Sequence, residues 1–206
     1  MSGKTKIKLC GMFRDCDIEY VNEAQPDYIG FIVDFPKSHR SVTPERAAQL
    51  KALLDPRIKA VGVFVNAPIA TPADMARRGV IDLIQLHGQE DAGYIVQLRS
   101  LTDLPIIKAV KVTSAEDVSR AETLGADYLL LDSGTGTGKM FDHGLIDPER
   151  ITTPFFLAGG LTPENCARAA REMRPYAVDM SSGIETDRIK DRAKILASVK
   201  AIRESD

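Results

Sequence analysis

Polar residues able to do chemistry recur in this chain at the ends of short apolar runs. Lys8 and Cys10 close Ile7–Cys10, and Gln85 and His87 fall at the end of Leu83–Leu86. Asp132 closes Tyr128–Asp132, while Asp179 and Ser181 lie at the end of Ala177–Met180. A thiol, carboxylates and an imidazole are the groups from which acid–base sites are assembled. Two glycine turns add another capacity: Ala158-Gly159-Gly160-Leu161 and Ser181-Ser182-Gly183. Glycine lets backbone N–H groups come close to an anion. Two such turns, one structural unit apart, predict a phosphate site at Gly159, Gly160, Ser181, Ser182 and Gly183. Cys10 alone leaves two readings open, an inert buried thiol or a reactive one. Cys16 and Cys166 fall in helical stretches and read as packing residues. The three His and three Cys show no close ligand spacing, so no metal is expected. The glycine-rich stretch from Asp132 to Lys139 has the wrong spacing for a P-loop and reads as a loop over the site.

The elements that must position these groups follow from the apolar pattern. Eight runs recur with helical stretches between them: Ile7–Cys10, Tyr28–Val33, Ala60–Val65, Leu83–Leu86, Ile106–Val110, Tyr128–Asp132, Phe155–Ala158 and Ala177–Met180. Continuous apolarity, rather than alternation, marks parallel strands covered on both faces. Helix starts are signalled at Thr43-Pro44-Glu45, Thr71-Pro72, Ser114-Ala115-Glu116 and Thr162-Pro163-Glu164, and the last helix is expected over about 187–203. An open doubly wound sheet should carry a G-x-G-x-x-G turn after its first strand; here Cys10-Gly11-Met12-Phe13 has a single glycine. The pattern therefore predicts an α/β fold, one (β/α)8 TIM barrel over residues 1–206. A barrel's outer strand face lies under helices, so Lys8 and Cys10 are placed inward, as are Gln85 with His87, Leu130 with Asp132, and Asp179 with Ser181. Lys8 either favours a Cys10 thiolate or neutralises an interior carboxylate such as Asp179.

Composition narrows the class further. The 206 residues are 44% hydrophobic, with 27 Lys+Arg against 29 Asp+Glu and three Cys. That balance argues against a protein held to nucleic acid or to an acidic membrane surface. No apolar run approaches the roughly 18–20 residues of a membrane helix, and the polar start lacks a signal peptide's apolar stretch. Reduced thiols in a cytoplasmic protein are expected.

Over nearly its whole length the chain resembles the phosphoribosylanthranilate isomerase family. The residues that carry the likeness are Lys8-Leu9-Cys10-Gly11, Gly30-Phe31-Ile32-Val33, Pro36-Lys37-Ser38-His39-Arg40 and Val61-Gly62-Val63-Phe64-Val65-Asn66. Gln85-Leu86-His87-Gly88, Leu131-Asp132, Gly138-Lys139-Met140-Phe141-Asp142, Gly159-Gly160-Leu161-Thr162-Pro163-Glu164-Asn165 and Val178-Asp179-Met180-Ser181-Ser182-Gly183-Ile184-Glu185 follow in order. The resemblance implies an Amadori rearrangement of N-(5-phosphoribosyl)anthranilate in tryptophan biosynthesis, without cofactor or metal. It implies Cys10 as general base, Asp132 as general acid and Arg40 as the contact for the anthranilate carboxylate. Gln85, His87 and Asp179 are candidate substrate contacts. The expected partner is a small phosphorylated aminosugar, handled by a monomer or homodimer. Met12-Phe13-Arg14, His39, Ser41 and His143 depart from the family's common residues, and none removes a chemical group. Rival readings are a ribulose-phosphate epimerase, whose metal-ligating His and Asp are missing, and the histidine-pathway isomerase, which uses two carboxylates. A barrel that binds a sugar phosphate without turnover is the rival from another class.

Overall fold

The computed structural model describes residues 4–132 and 147–205. The chain alternates strands and helices, beginning with β1 (Lys6–Cys10), β2 (Tyr28–Val33), β3 (Lys59–Phe64) and β4 (Leu83–Leu86). It continues through β5 (Ile106–Lys111), β6 (Tyr128–Asp132), β7 (Phe155–Ala158) and β8 (Ala177–Met180). Each strand pairs in parallel with the next, and β1 pairs with both β2 and β8, which closes the sheet into a barrel. The strand bounds fall within one residue of those expected from the apolar runs.

Helices α1 (Asp15–Ala24), α2 (Pro44–Leu53), α3 (Ala70–Arg77), α4 (Ala92–Arg99), α5 (Ala115–Glu122), α6 (Cys166–Met173) and α7 (Arg192–Arg203) surround it. Thr43 caps α2 by accepting from Arg46 N–H, and Ser114 with Asp117 forms a capping box on α5, as the sequence signals. Among the described residues no helix is long and apolar enough to cross a membrane.

Three helix starts differ from expectation. Helix α3 begins at Ala70, so Thr71 and Pro72 lie inside its first turn, where a proline's missing N–H is harmless. Thr162-Pro163-Glu164 forms a turn ahead of α6, held by Thr162 N–H donating to Asn165 Oδ1 at 2.8 Å. Helix α7 starts at Arg192, capped by Asp191, because Glu185–Thr186 and Ile189–Lys190 pair as an antiparallel hairpin instead. The predicted loop over the site and His143 fall in 133–146, outside the described residues.

Strand parity sorts the apolar side chains into two cores. Ile7, Leu9, Ile29, Phe31, Leu129 and Leu131 point outward and pack against Ile18, Val21, Leu50 and Ile195 of the helices. Tyr28, Val61, Leu83, Ile107, Leu130, Phe156 and Ala177 fill the barrel. Each fully buried Leu, Ile or Phe of this kind stabilises the fold by about 1.5–3 kcal/mol. The N-terminal end of the barrel is stopped by aromatic rings: Tyr28 and Tyr176 hydroxyls lie 2.6 Å apart, and Tyr128 stacks on Tyr176 at 4.8 Å. With that end plugged, the polar positions near the C-terminal strand ends border the open mouth.

Candidate active site

Register brings the first group of site residues together. On the β1–β8 pair Lys8 sits opposite Asp179, and on β1–β2 Cys10 sits opposite Gly30. A Cβ on Gly30 would lie 2.7 Å from Cys10 Sγ, so the glycine makes room for an inward thiol. Lys8 is fully buried and donates to Asp179 Oδ2 at 2.9 Å. Of the two readings of Lys8, the pairing with the interior carboxylate is the one its hydrogen bond makes directly. Burial works against the lysine's charge, but Asp179 and the neighbouring Cys10 together hold its pKa above the ordinary 10.5. Burial likewise pushes the Cys10 thiol above its ordinary 9.0; Lys8 and Lys190 pull the other way, while Asp179 adds to the rise.

Gln85 on β4 is buried, and its Nε2 lies 2.8 Å from His87 Nδ1. With Gln85 as donor, the imidazole carries its proton on Nε2. His87 keeps an exposed edge at the rim. Desolvation by the protein packed around the rest of the ring lowers its pKa below 6.5, against the pull of the Asp132 charge. Asp179 Oδ1 and Gln85 Oε1 are buried acceptors with no partner among the described residues. Such orphans are costly, about 1–3 kcal/mol each, and are expected where a ligand supplies the donor.

Arg40 comes from the loop after β2. It is not a solvated loop charge: its side chain is 18% exposed, and Nε and Nη2 donate to the two oxygens of Glu185 at 2.5 and 2.6 Å. Burial raises the Glu185 carboxyl, but the Arg40 hydrogen bonds and Lys190 outweigh it and hold the group at about 2. Next to it the two glycine turns touch. A Cβ on Gly183 would fall 1.9 Å from the Leu161 carbonyl oxygen, so only glycine allows these backbones to meet. Asn165 Nδ2 donates to Gly160 O at 3.0 Å and fastens the first turn to the start of α6.

One cavity of about 310 Å³ gathers these groups. Cys10, Arg40, Gln85, His87, Asp132, Asp179, Gly159, Gly160, Ser181, Ser182 and Gly183 all line it. Every site residue expected from the sequence is therefore brought to one place. The sequence reading missed Phe35 and Ser38 as lining residues, and gave Glu185 and Lys190 no part in the site. Cys166 is buried in α6, as expected for packing, and Cys16 is half-buried on α1.

A closed eight-stranded barrel with polar strand ends and two glycine loops around one C-terminal mouth is the plan of a phosphate-binding barrel enzyme. Comparison with known proteins narrows this. Residues 7–201 match the family model described as N-(5'phosphoribosyl)anthranilate (PRA) isomerase. The isomerase of that name from Endomicrobium trichonymphae is 42% identical over 203 residues, covering 96% of this chain and 98% of its own. The crystal structure of phosphoribosyl anthranilate isomerase from Thermotoga maritima is 35% identical, with a TM-score of 0.87 over 97% of this chain and 99% of that one. Another phosphoribosyl anthranilate isomerase structure, in complex with reduced 1-(o-carboxyphenylamino)-1-deoxyribulose 5-phosphate, is 34% identical with a TM-score of 0.85, over 97% and 99% of the two chains. The chain belongs to the N-(5'-phosphoribosyl)anthranilate isomerase family, and is an isomerase of tryptophan biosynthesis.

Proposed function

We propose that this chain, as one catalytic domain over residues 1–206, isomerises N-(5'-phosphoribosyl)anthranilate with Asp132 as general acid and Cys10 as general base. Opening the ribose ring requires a proton on its ring oxygen, which a carboxylic acid at Asp132 gives. The open form is an iminium cation, and it acidifies the C–H of the adjoining sugar carbon. The Cys10 thiolate takes that proton and leaves an enaminol. Protonation at the carbon bearing nitrogen, with loss of the enol proton, completes the 1-amino-1-deoxyribulose. The raised thiol pKa fits this order of events. Burial favours the thiol in the free protein; the positive charge of the iminium favours the thiolate, whose proton leaves to solvent through the open mouth when the base is required.

The observation that carries the reading is that Cys10 and Asp132 border the same cavity as Arg40 and both glycine turns. Arg40 suits a carboxylate and the glycine turns suit a phosphate, so a substrate carrying both would be held in the cavity that the acid and the base also line. Gln85 Oε1 and Asp179 Oδ1 offer acceptors to sugar hydroxyls between them. A cytoplasmic monomer or homodimer is the setting that goes with this reading.

Freshly made phosphoribosylanthranilate is the test substrate, followed by loss of anthranilate fluorescence; the chain has no Trp to add background. The intact protein should turn it over, and Cys10→Ala and Asp132→Asn, each folded, should lose on the order of 10²–10⁴ in kcat. Binding with no turnover by the intact protein would sink the proposal, and undiminished turnover by either variant would remove that residue from its role.

A further inference from the structure

The hairpin after β8 points to a residue that acts on the site through another. Glu185 and Lys190 face each other across it, 2.7 Å apart, and Lys190 is fully buried. Lys190 Nζ also donates to Ser181 O at 3.0 Å, and Ser181 Oγ donates to Cys10 O at 3.1 Å. Arg40 lies along the backbone next to Cys10: a Cβ on Gly11, whose φ is +84°, would come within 2.5 Å of Arg40 Cδ. The hairpin therefore ties the arginine to the strand ends that carry the thiol and the Ser-Ser-Gly turn.

A guanidinium has five N–H donors on two usable edges. Glu185 takes the edge made by Nε and Nη2. Nη1 and the second hydrogen of Nη2 form the other edge, which fits a planar carboxylate. Charge matters as well. Arg40 with Glu185 alone is neutral and would offer an incoming anion little; buried Lys190 gives the trio one positive charge in excess.

We propose that Glu185, backed by Lys190, is a positioning residue for the isomerisation: it holds Arg40 by one edge and so presents the other edge to the anthranilate carboxylate. This rests on the reading of Arg40 as the carboxylate contact. The fixed fork is ordered before substrate arrives, so less side-chain freedom is lost on binding. The benefit is specific to substrates that carry the carboxylate.

The test compares KM and kcat for phosphoribosylanthranilate with those for the aniline analogue, which lacks the carboxylate. Both are prepared from ribose 5-phosphate and the arylamine. Glu185→Gln should raise KM for the carboxylated substrate roughly tenfold or more while kcat changes less than about threefold, the pattern of lost ground-state binding. The aniline analogue should change less than about twofold, and Glu185→Gln added to Arg40→Ala should cost nothing further. An equal loss for both substrates, or an equal loss with Arg40 absent, would make Glu185 a fold residue and overturn the proposal. If Arg40→Ala alone weakens both substrates alike, the carboxylate reading of Arg40 fails first and takes the proposal with it. Should Glu185→Gln not fold, Glu185→Asp, which withdraws the carboxylate by one carbon, is read in the same way.

Discussion

The Lys108–Glu90 and Lys8–Asp179 pairs are both buried, both near 3 Å, and differently furnished. Lys108 Nζ reaches Glu90 Oε2 at 3.0 Å and Gly88 O at 2.7 Å. Glu90 in turn accepts from Asn66 N–H and Gly88 N–H, so each of its oxygens is bonded. Lys108 points out of the barrel wall, since Ile107 and Ala109 on either side face the interior. That pair stitches the ends of β3, β4 and β5 together. Inside the barrel, Lys8 bonds one oxygen of Asp179 and leaves Oδ1 without a partner among the described residues, beside the Cys10 thiol and the cavity. Taking two charges out of water is expensive, and full hydrogen bonding offsets it. A pair whose carboxylate oxygens are both bonded fastens the fold; a pair with an acceptor left over at a cavity is set for a ligand.

The largest effect that separates them is expected at Lys108. Lys108→Met leaves the Glu90 charge buried, and should cost roughly 3–5 kcal/mol in urea unfolding while kcat moves only a few-fold. Stability kept and activity lost would erase the contrast.

Next come opposite shifts in the pH dependence of kcat/KM. On the proposed mechanism Cys10 acts as thiolate, so the rate should rise with pH through a thiol pKa that burial holds above 9.0. Lys8 lowers that pKa and Asp179 raises it. Lys8→Met should therefore move the limb up and Asp179→Asn move it down. Two shifts of the same sign, or none from Lys8→Met, would show that the interior pair does not govern the thiol.

The smallest effect lies at the third buried lysine. Glu185 has its carboxyl drawn from 4.5 to about 2, so the folded state binds its proton later than the unfolded chain does. Its contribution to stability is complete above pH 4.5 and is lost as pH falls toward about 2. Thermal midpoints of the intact chain and of Glu185→Gln should converge over that range by a few degrees, at about 2–4 °C per kcal/mol. A constant gap would mean that the pairing contributes nothing pH-dependent.

Much of the site was legible because strand side chains alternate, and because Thr43 and Ser114 mark the starts of α2 and α5. Once Lys8 and Cys10 share a face, the neighbouring outward Ile7 and Leu9 decide which face it is. The hairpin was not legible. Its two turn residues, Asp187 and Arg188, have φ of 50° and 65°, a conformation usually marked by Asn-Gly or Asp-Gly. With a bulky Arg in the second place, the stretch read as the beginning of α7, and Lys190 was lost to the site. Lys108 was missed for a related reason: one lysine in an apolar run carries no sign that a loop glutamate 18 residues earlier will meet it.

From its amino-acid order alone this chain determined eight strands, a barrel, the inward set Lys8, Cys10, Gln85, Asp132 and Asp179, and two glycine turns. Those are local matters of periodicity and of which backbone a residue tolerates. Tertiary structure alone decided which charge meets which. Arg40 meets Glu185 across 145 positions and Lys8 meets Asp179 across 171, and only closure of the barrel makes such distant residues neighbours.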